Sequence, residues 1–453
     1  MNARFRSDAF WSAVGTLLPM LIGAATVPML LRILNGEGFT AYALGLAIIS
    51  FAPSLDFGIA RALFRRVAAA SGTNQKEAWG LTSWAIVNSA KVGLVAALVM
   101  GGALGSLSAL SLIPAASVER AWLAVVVALV GVAPAIVANT QRAALEGAGR
   151  FGSSARAKIG LGVLSAVVPA ALALVTQDVA ILCGSLVLLR VSTVVQQHRI
   201  LRREGLLPFD WRSLGYSWSD DQRFWRESRW YALLAPASLL MSGFDRFVVM
   251  AVSSLTLAQL AVFIAPQEIA LKAIILPAAI IPAVVVRMAV GTTASERARL
   301  LAQSMLHSIC FLTLLFCIIG SLLAPQIATF LFRSLDTGVV SEVIQIFAVG
   351  IFSNAVAQFP MASLSARALI RYPALLQMGQ LPVYLGALHY LIGAYGVIGA
   401  AWAWSGRIVV DTVLLSLFSH LAVPQLRIRG LHLIHVGGVT ILLLVMGMHR
   451  FQS

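Results

Sequence analysis

Charge is what this 453-residue chain has least of: 11% of its residues are Asp, Glu, Lys or Arg, while 59% are hydrophobic. With a mean hydropathy of +0.88, that shortage excludes a soluble globular protein, in which about 25% of residues are charged. Acidic residues are scarcer still, 18 against 33 basic ones. Cysteine is nearly absent. Cys183, Cys310 and Cys317 all fall in apolar runs without ligand spacing and are read most simply as small packing residues. No metal and no cofactor is expected. Long polar segments are missing too. The outer loops are short, so an extracellular catalytic domain has no room, and the longest polar interval is residues 199–229.

What the chain does have is apolar runs of membrane length, about 20 residues each. Thirteen stand near 11–33, 41–63, 81–104, 118–138, 159–177, 179–198, 230–252, 258–284, 301–323, 342–364, 374–394, 396–420 and 431–448. The expected fold is all-α: a polytopic membrane protein of two six-helix bundles, with the thirteenth run either an extra helix or a surface-lying one. The polar interval sets the expected division: an amino-terminal bundle at 1–200, a cytoplasmic linker at 201–229, a second bundle at 230–420 and a carboxyl-terminal helix at 421–453. An even number of spans per half enters the membrane in the same direction twice, as in repeats related by an axis along its normal. Prolines inside spans, such as Pro19, Pro28, Pro277 and Pro282, are tolerated where neighbours satisfy the freed backbone groups.

A net charge of +15 invites a nucleic-acid reading, but its distribution argues against one. Alternate loops carry 24 of the 33 cations and the opposite loops carry four, Arg32, Arg120, Arg333 and Arg450. That bias places the amino terminus and the basic loops in the cytoplasm, with anionic membrane lipids as neighbours. Arg4 and Arg6 precede an apolar run too long for a signal peptide, so it reads as a retained first helix.

Three local patterns carry a family resemblance. Residues 34–42, Leu34-Asn35-Gly36-Glu37-Gly38-Phe39-Thr40-Ala41-Tyr42, lead to Asp56-Phe57-Gly58-Ile59-Ala60-Arg61. Gln141-Arg142-Ala143-Ala144-Leu145-Glu146-Gly147-Ala148-Gly149-Arg150-Phe151 follows the fourth span. Asp245-Arg246 lies in the seventh. Together these resemble the polysaccharide flippases of the multidrug/oligosaccharidyl-lipid/polysaccharide exporter superfamily. The resemblance implies transport, not catalysis: undecaprenyl-diphosphate-linked oligosaccharide passing to the outer leaflet of the bacterial cytoplasmic membrane by alternating access, in O-antigen-type polysaccharide assembly. It also implies contact with a glycan polymerase and chain-length machinery. Two other readings stand beside it. A multidrug exporter of the same superfamily would favour embedded acids over cations. A membrane-embedded polymerase or ligase would need the large outer loop that is lacking.

The remaining five cations lie inside spans: Lys91, Arg190, Arg246, Lys272 and Arg407. Each costs at least about 2.5–3.5 kcal/mol at mid-membrane and is expected to face a partner or a hydrated cavity. Glu268 and Lys272 are spaced i,i+4 in the favoured order, and Arg407 and Asp411 share that spacing. Asp245 and Arg246 are adjacent and point apart on a helix. Lys91 and Arg190 have no acid within one turn, so they are the leading candidates for a diphosphate, with Arg61 at the inner mouth and Arg246 as further candidates. Asp56, Asp245, Glu268, Lys272, Arg407 and Asp411 are candidates for charge pairs or ion coupling. His307 and His389 have no ligand-like companions and are expected to be packing residues. Trp402, Trp404, Tyr384, Tyr390 and Tyr395 read as packing or interface aromatics.

Overall fold

Hydrocarbon leaves no partner for a free backbone amide, so apolar runs of this length become helices. The computed structural model describes residues 3–70, 75–109, 115–207, 221–242, 245–252, 255–290, 296–366, 369–422 and 430–450; these form helices and turns, with no strand among the described residues. The chain is a multi-pass membrane protein. Among the described residues, ten helical stretches are long and apolar enough to cross a bilayer, or eleven if one bent pair counts as a single span. Two of the ten merge neighbouring runs counted from sequence: Leu18–Leu55 overlaps 11–33 and 41–63, and Arg371–Ala422 contains 374–394 and 396–420.

The chain divides into two compact units, Met1–Phe247 and Val248–Ser453. The first holds α1 (Ala3–Phe51), a 3-10 turn (Ala52–Leu55), α2 (Ile59–Ala70), α3 (Gln75–Ala109), α4 (Ala115–Val130), α5 (Val132–Gly147), α6 (Phe151–Ala173), α7 (Val179–Arg203) and α8 (Asp221–Ser242). The boundary falls within α9 (Asp245–Val252). Of the expected linker, residues 208–220 lie outside the described residues, while its two ends continue α7 and open α8.

The expected turn at residues 34–39 is a kink, not a loop: α1 continues through it and only Asn35 leaves helical geometry (φ 58°, ψ 178°). Asparagine is among the few side chains that adopt a left-handed φ at modest cost. The expected second span, 41–63, is interrupted. Pro53 lacks an amide donor, and Phe57 and Gly58 both take positive φ (49° and 83°), which turns the chain before α2. Asp56 makes that turn. Its Oδ1 accepts from the Gly58 amide at 2.8 Å and its Oδ2 from the Ala60 amide at 3.1 Å, an N-terminal cap worth about 1 kcal/mol.

Within this unit α5 packs against α2, α3 and α7. A Cβ added at Gly93 would stand 2.5 Å from the Ala133 Cα, so α3 and α5 meet nearly backbone to backbone, and the Ser89 and Thr140 hydroxyls join at 2.6 Å. The end of α5 is a Schellman motif: the Arg150 amide donates to Leu145 at 2.8 Å and the Gly149 amide to Glu146 at 3.0 Å, with Gly149 left-handed. The Arg142–Phe151 pattern is thus a helix stop and restart, pinned to the end of α7 by Arg150–Glu204 at 3.0 Å. Cys183 is buried against Gly45, as expected of a packing residue.

The second unit holds α10 (Leu257–Val290), α11 (Glu296–Leu322), α12 (Ala324–Leu331), α13 (Thr337–Ala366), α14 (Arg371–Ala422) and α15 (Leu431–Arg450). Here α13 is central, packing against each of the others. Phe347 sits edge-on to both Phe263 (5.5 Å) and Trp404 (5.0 Å). Within α14 the chain reverses at Gly396 (φ 58°, ψ −133°), a conformation that only glycine adopts readily. The carboxyl-terminal run is a helix packed along α13: His435 bonds the Ser353 hydroxyl at 3.1 Å, and Gly438 lies against the Phe352 ring.

Candidate functional site

In the first unit, Arg190 lies near the middle of α7, about 18 Å along the helix from the basic end at Arg202. It is partly buried and, among the described residues, makes no ion pair or hydrogen bond. The charged neighbour within its electrostatic reach is another cation, Arg142 on α5. Arg142 in turn interacts with Lys158 on α6. The single acid in this group is Glu146, 4.0 Å from Arg142 Nε, and it also accepts a hydrogen bond from Ser154 at 2.8 Å. Arg142 and Lys158 both lie within reach of that carboxylate, and Arg190 lies beside Arg142. The guanidinium forks of Arg142 and Arg190 are of a kind that matches the geometry of an anion with several acceptor oxygens, such as phosphate.

Arg142 is positioned by more than its charge. Its guanidinium donates to Asn139 Oδ1 at 2.6 Å, and the Asn139 amide donates to Asp56 Oδ2 at 3.2 Å. A polar chain thus runs from the cap of α2 through α5 to the cation group. Asp56, expected as a charge-pair or coupling group, is bonded to two backbone amides and to Asn139, with Arg61 within electrostatic reach. Sequence reasoning placed Arg142 and Lys158 among the loop cations, yet both lie on helices, Arg142 more than a turn inside α5. The available signal was Asn139 at i−3 from Arg142, a spacing that puts both on one helix face.

Lys91 is not on this face of α3. It is exposed, and it stands two residues from Ser89 and from Gly93, both turned to α5. Arg61 is also exposed, with its guanidinium 4.6 Å from the centre of the Tyr231 ring, a cation–π contact. Arg246 is fully buried and donates to the Ala43 carbonyl of α1 at 3.1 Å, while the side chain of buried Asp245 accepts from the Arg246 amide at 3.0 Å. This residue ties α9 to α1.

The second unit holds two further groups. Glu268 and Lys272 form the expected pair, at 3.1 Å. Arg407 and Asp411, with the same spacing, are within electrostatic reach but do not close to an ion pair among the described residues. Arg407 lies instead over the Tyr384 ring on the other arm of α14, 5.6 Å from its centre. Asp411 is buried, 8% exposed, beside Gln380. Two buried atoms there lack a hydrogen bond among the described residues, Asp411 Oδ1 and Arg407 Nε.

The expected packing histidines behave differently from the expectation. His389 is exposed, and His307 leaves its Nε2 without a hydrogen bond. Trp404 is buried in the core of the second unit, whereas Tyr390 and Tyr395 are 72% and 64% exposed.

The fold is similar to that of MATE transporters. It matches an inward-facing multidrug resistance MATE transporter with a TM-score of 0.70 at 18% identity, over 92% of this chain and 98% of that one. A MOP-superfamily transporter from Pyrococcus furiosus, described as having a binding pocket of reversed polarity that suggests a different function, matches with a TM-score of 0.61 at 18% identity, over 92% and 96% of the two chains. No protein-family model matches the chain. Among curated proteins, the "Putative O-antigen transporter" of Shigella flexneri is 24% identical over 413 residues, 90% of this chain and 96% of the relative. The proteins found by both comparisons are described as transporters.

Proposed function

We propose that this chain carries undecaprenyl-diphosphate-linked oligosaccharide from the inner to the outer leaflet of the bacterial cytoplasmic membrane, with its amino terminus in the cytoplasm. The observation that carries this reading is Arg190 at mid-span beside Arg142 with no acid paired to it. Such a placement is costly unless an anion arrives, and a diphosphate is an anion that cannot cross hydrocarbon unaided. Arg190, Arg142 and Lys158 are the residues we assign to it. The polyprenyl tail stays in lipid, so only the headgroup needs a polar route. The name of the Shigella relative supports the same substrate class. In this reading Arg61 guides the headgroup at the inner mouth, Arg246 holds the fold together, and glycan polymerase and chain-length machinery act on the exported product.

Of the embedded acids, Asp411 is the better coupling candidate, because Glu268 is already held by Lys272 while Asp411 has an unmet oxygen. These acids, with the multidrug MATE proteins among the structural neighbours, favour the second reading, a multidrug exporter. Deleting the gene separates the two. The flippase reading expects lipid-linked oligosaccharide to accumulate on the cytoplasmic leaflet, with restoration by the wild-type gene and not by Arg190→Ala. Unchanged glycan with altered drug sensitivity would establish the exporter reading instead.

A further inference from the structure

Lys91 shares its side of α3 with Leu94, Val95 and Leu98, which are 60%, 59% and 75% exposed. The spacing i, i+3, i+4, i+7 makes them one stripe. A stripe so apolar does not line a water-filled passage, so Lys91 stands in hydrocarbon. It lies about 18 Å along the helix from Trp79 and about 22 Å from Ser106, the two ends of its span. A four-carbon stem does not bridge either distance, so the ammonium cannot snorkel to the headgroups. Among the described residues it makes no ion pair. Further along the same face, Gly102 is exposed, with no atom within 4 Å of where a Cβ would stand. Small residues at such points let a second helix approach closely.

We propose that this face of α3 docks against a transmembrane helix of a different protein, one that carries an Asp or Glu at mid-depth to meet Lys91. Charge complementarity decides the occupant. Among the described residues a second copy of this chain offers no such exposed group, since Asp178 and Asp336 lie at helix ends. Anionic lipid keeps its charge at the interface, out of reach of Lys91. The inference is independent of the transported substrate, since none of these residues belongs to the Arg190 group.

The test places a photoreactive p-benzoylphenylalanine at Leu98 in the full chain in its native membrane. Irradiation is expected to yield a discrete adduct whose mapped peptide is a transmembrane segment containing Asp or Glu. Lys91→Ala should lower its yield at least about tenfold, while Lys91→Arg keeps it. Lys91→Glu combined with Lys at the mapped acid should restore it. Adducts to lipid only, to a second copy, or to a segment without an acid would each overturn the proposal, as would a yield that Lys91→Ala leaves unchanged.

Discussion

Arg190→Ala separates a binding cation from a structural one, because the two roles predict opposite effects on the empty protein. In the ligand-free state Arg190 has Arg142 as its charged neighbour and no acid in contact among the described residues, so removing it relieves repulsion. The melting temperature should stay level or rise. With a diphosphate bound, the same guanidinium supplies a charge-assisted hydrogen bond worth about 1.5–3 kcal/mol. At about 1.4 kcal/mol per tenfold, affinity should fall roughly 10- to 100-fold. The assay is a titration of detergent-purified protein with undecaprenyl diphosphate, run beside undecaprenyl monophosphate, with thermal melts of the same samples. Arg190→Lys should recover part of the loss, since it restores the charge but not the planar fork. Unaltered affinity for the diphosphate, or a drop in affinity matched by a drop in melting temperature, would refute the reasoning.

Other substitutions probe the surrounding assignments. Asp56→Ala should destabilise by about 1–2 kcal/mol through the lost cap, while Asp56→Asn, which still accepts the Gly58 amide but turns an NH2 towards the Ala60 amide and Asn139, should lower the melting temperature less and leave transport per folded protein unchanged; a transport-dead Asp56→Asn of near-normal stability would make Asp56 a coupling group. Gly396→Ala forces a side chain into a φ of 58° and ψ of −133° and should cost about 1–3 kcal/mol, visible as reduced protein in the membrane. Asp411→Asn should slow transport at least about tenfold without loss of protein if the unmet carboxylate oxygen is the coupling site, whereas Glu268→Gln, which breaks a 3.1 Å pair with Lys272, should chiefly lower stability; equal transport by wild type and Asp411→Asn would remove Asp411 from the mechanism.

The apolar runs were legible in the sequence because bilayer thickness fixes helix length, and the pairing of Glu268 with Lys272 was legible because one turn of helix dictates it. Arg407 and Asp411 show the limit of the same rule. Their spacing is identical, but the aromatic ring of Tyr384, on the other arm of α14, draws the guanidinium away. No local pattern encodes that. Arg142 was hidden for a related reason: its i−3 neighbour Asn139 is visible, but the proximity to Arg190 exists only once α5 packs on α7. Lys91 and Arg190 looked alike in sequence, each a cation without an acid within a turn. Helix packing sends them to different places, Arg190 into the α5–α7 group and Lys91 onto the exposed stripe of α3.

The most direct test of the central claim is reconstitution. Purified protein in liposomes carrying a fluorescent undecaprenyl-diphosphate-linked oligosaccharide on one leaflet should move it to the other, with Arg190→Ala slower by at least about tenfold. Liposomes in which the lipid-linked oligosaccharide stays in place while a cationic drug is transported would contradict the account.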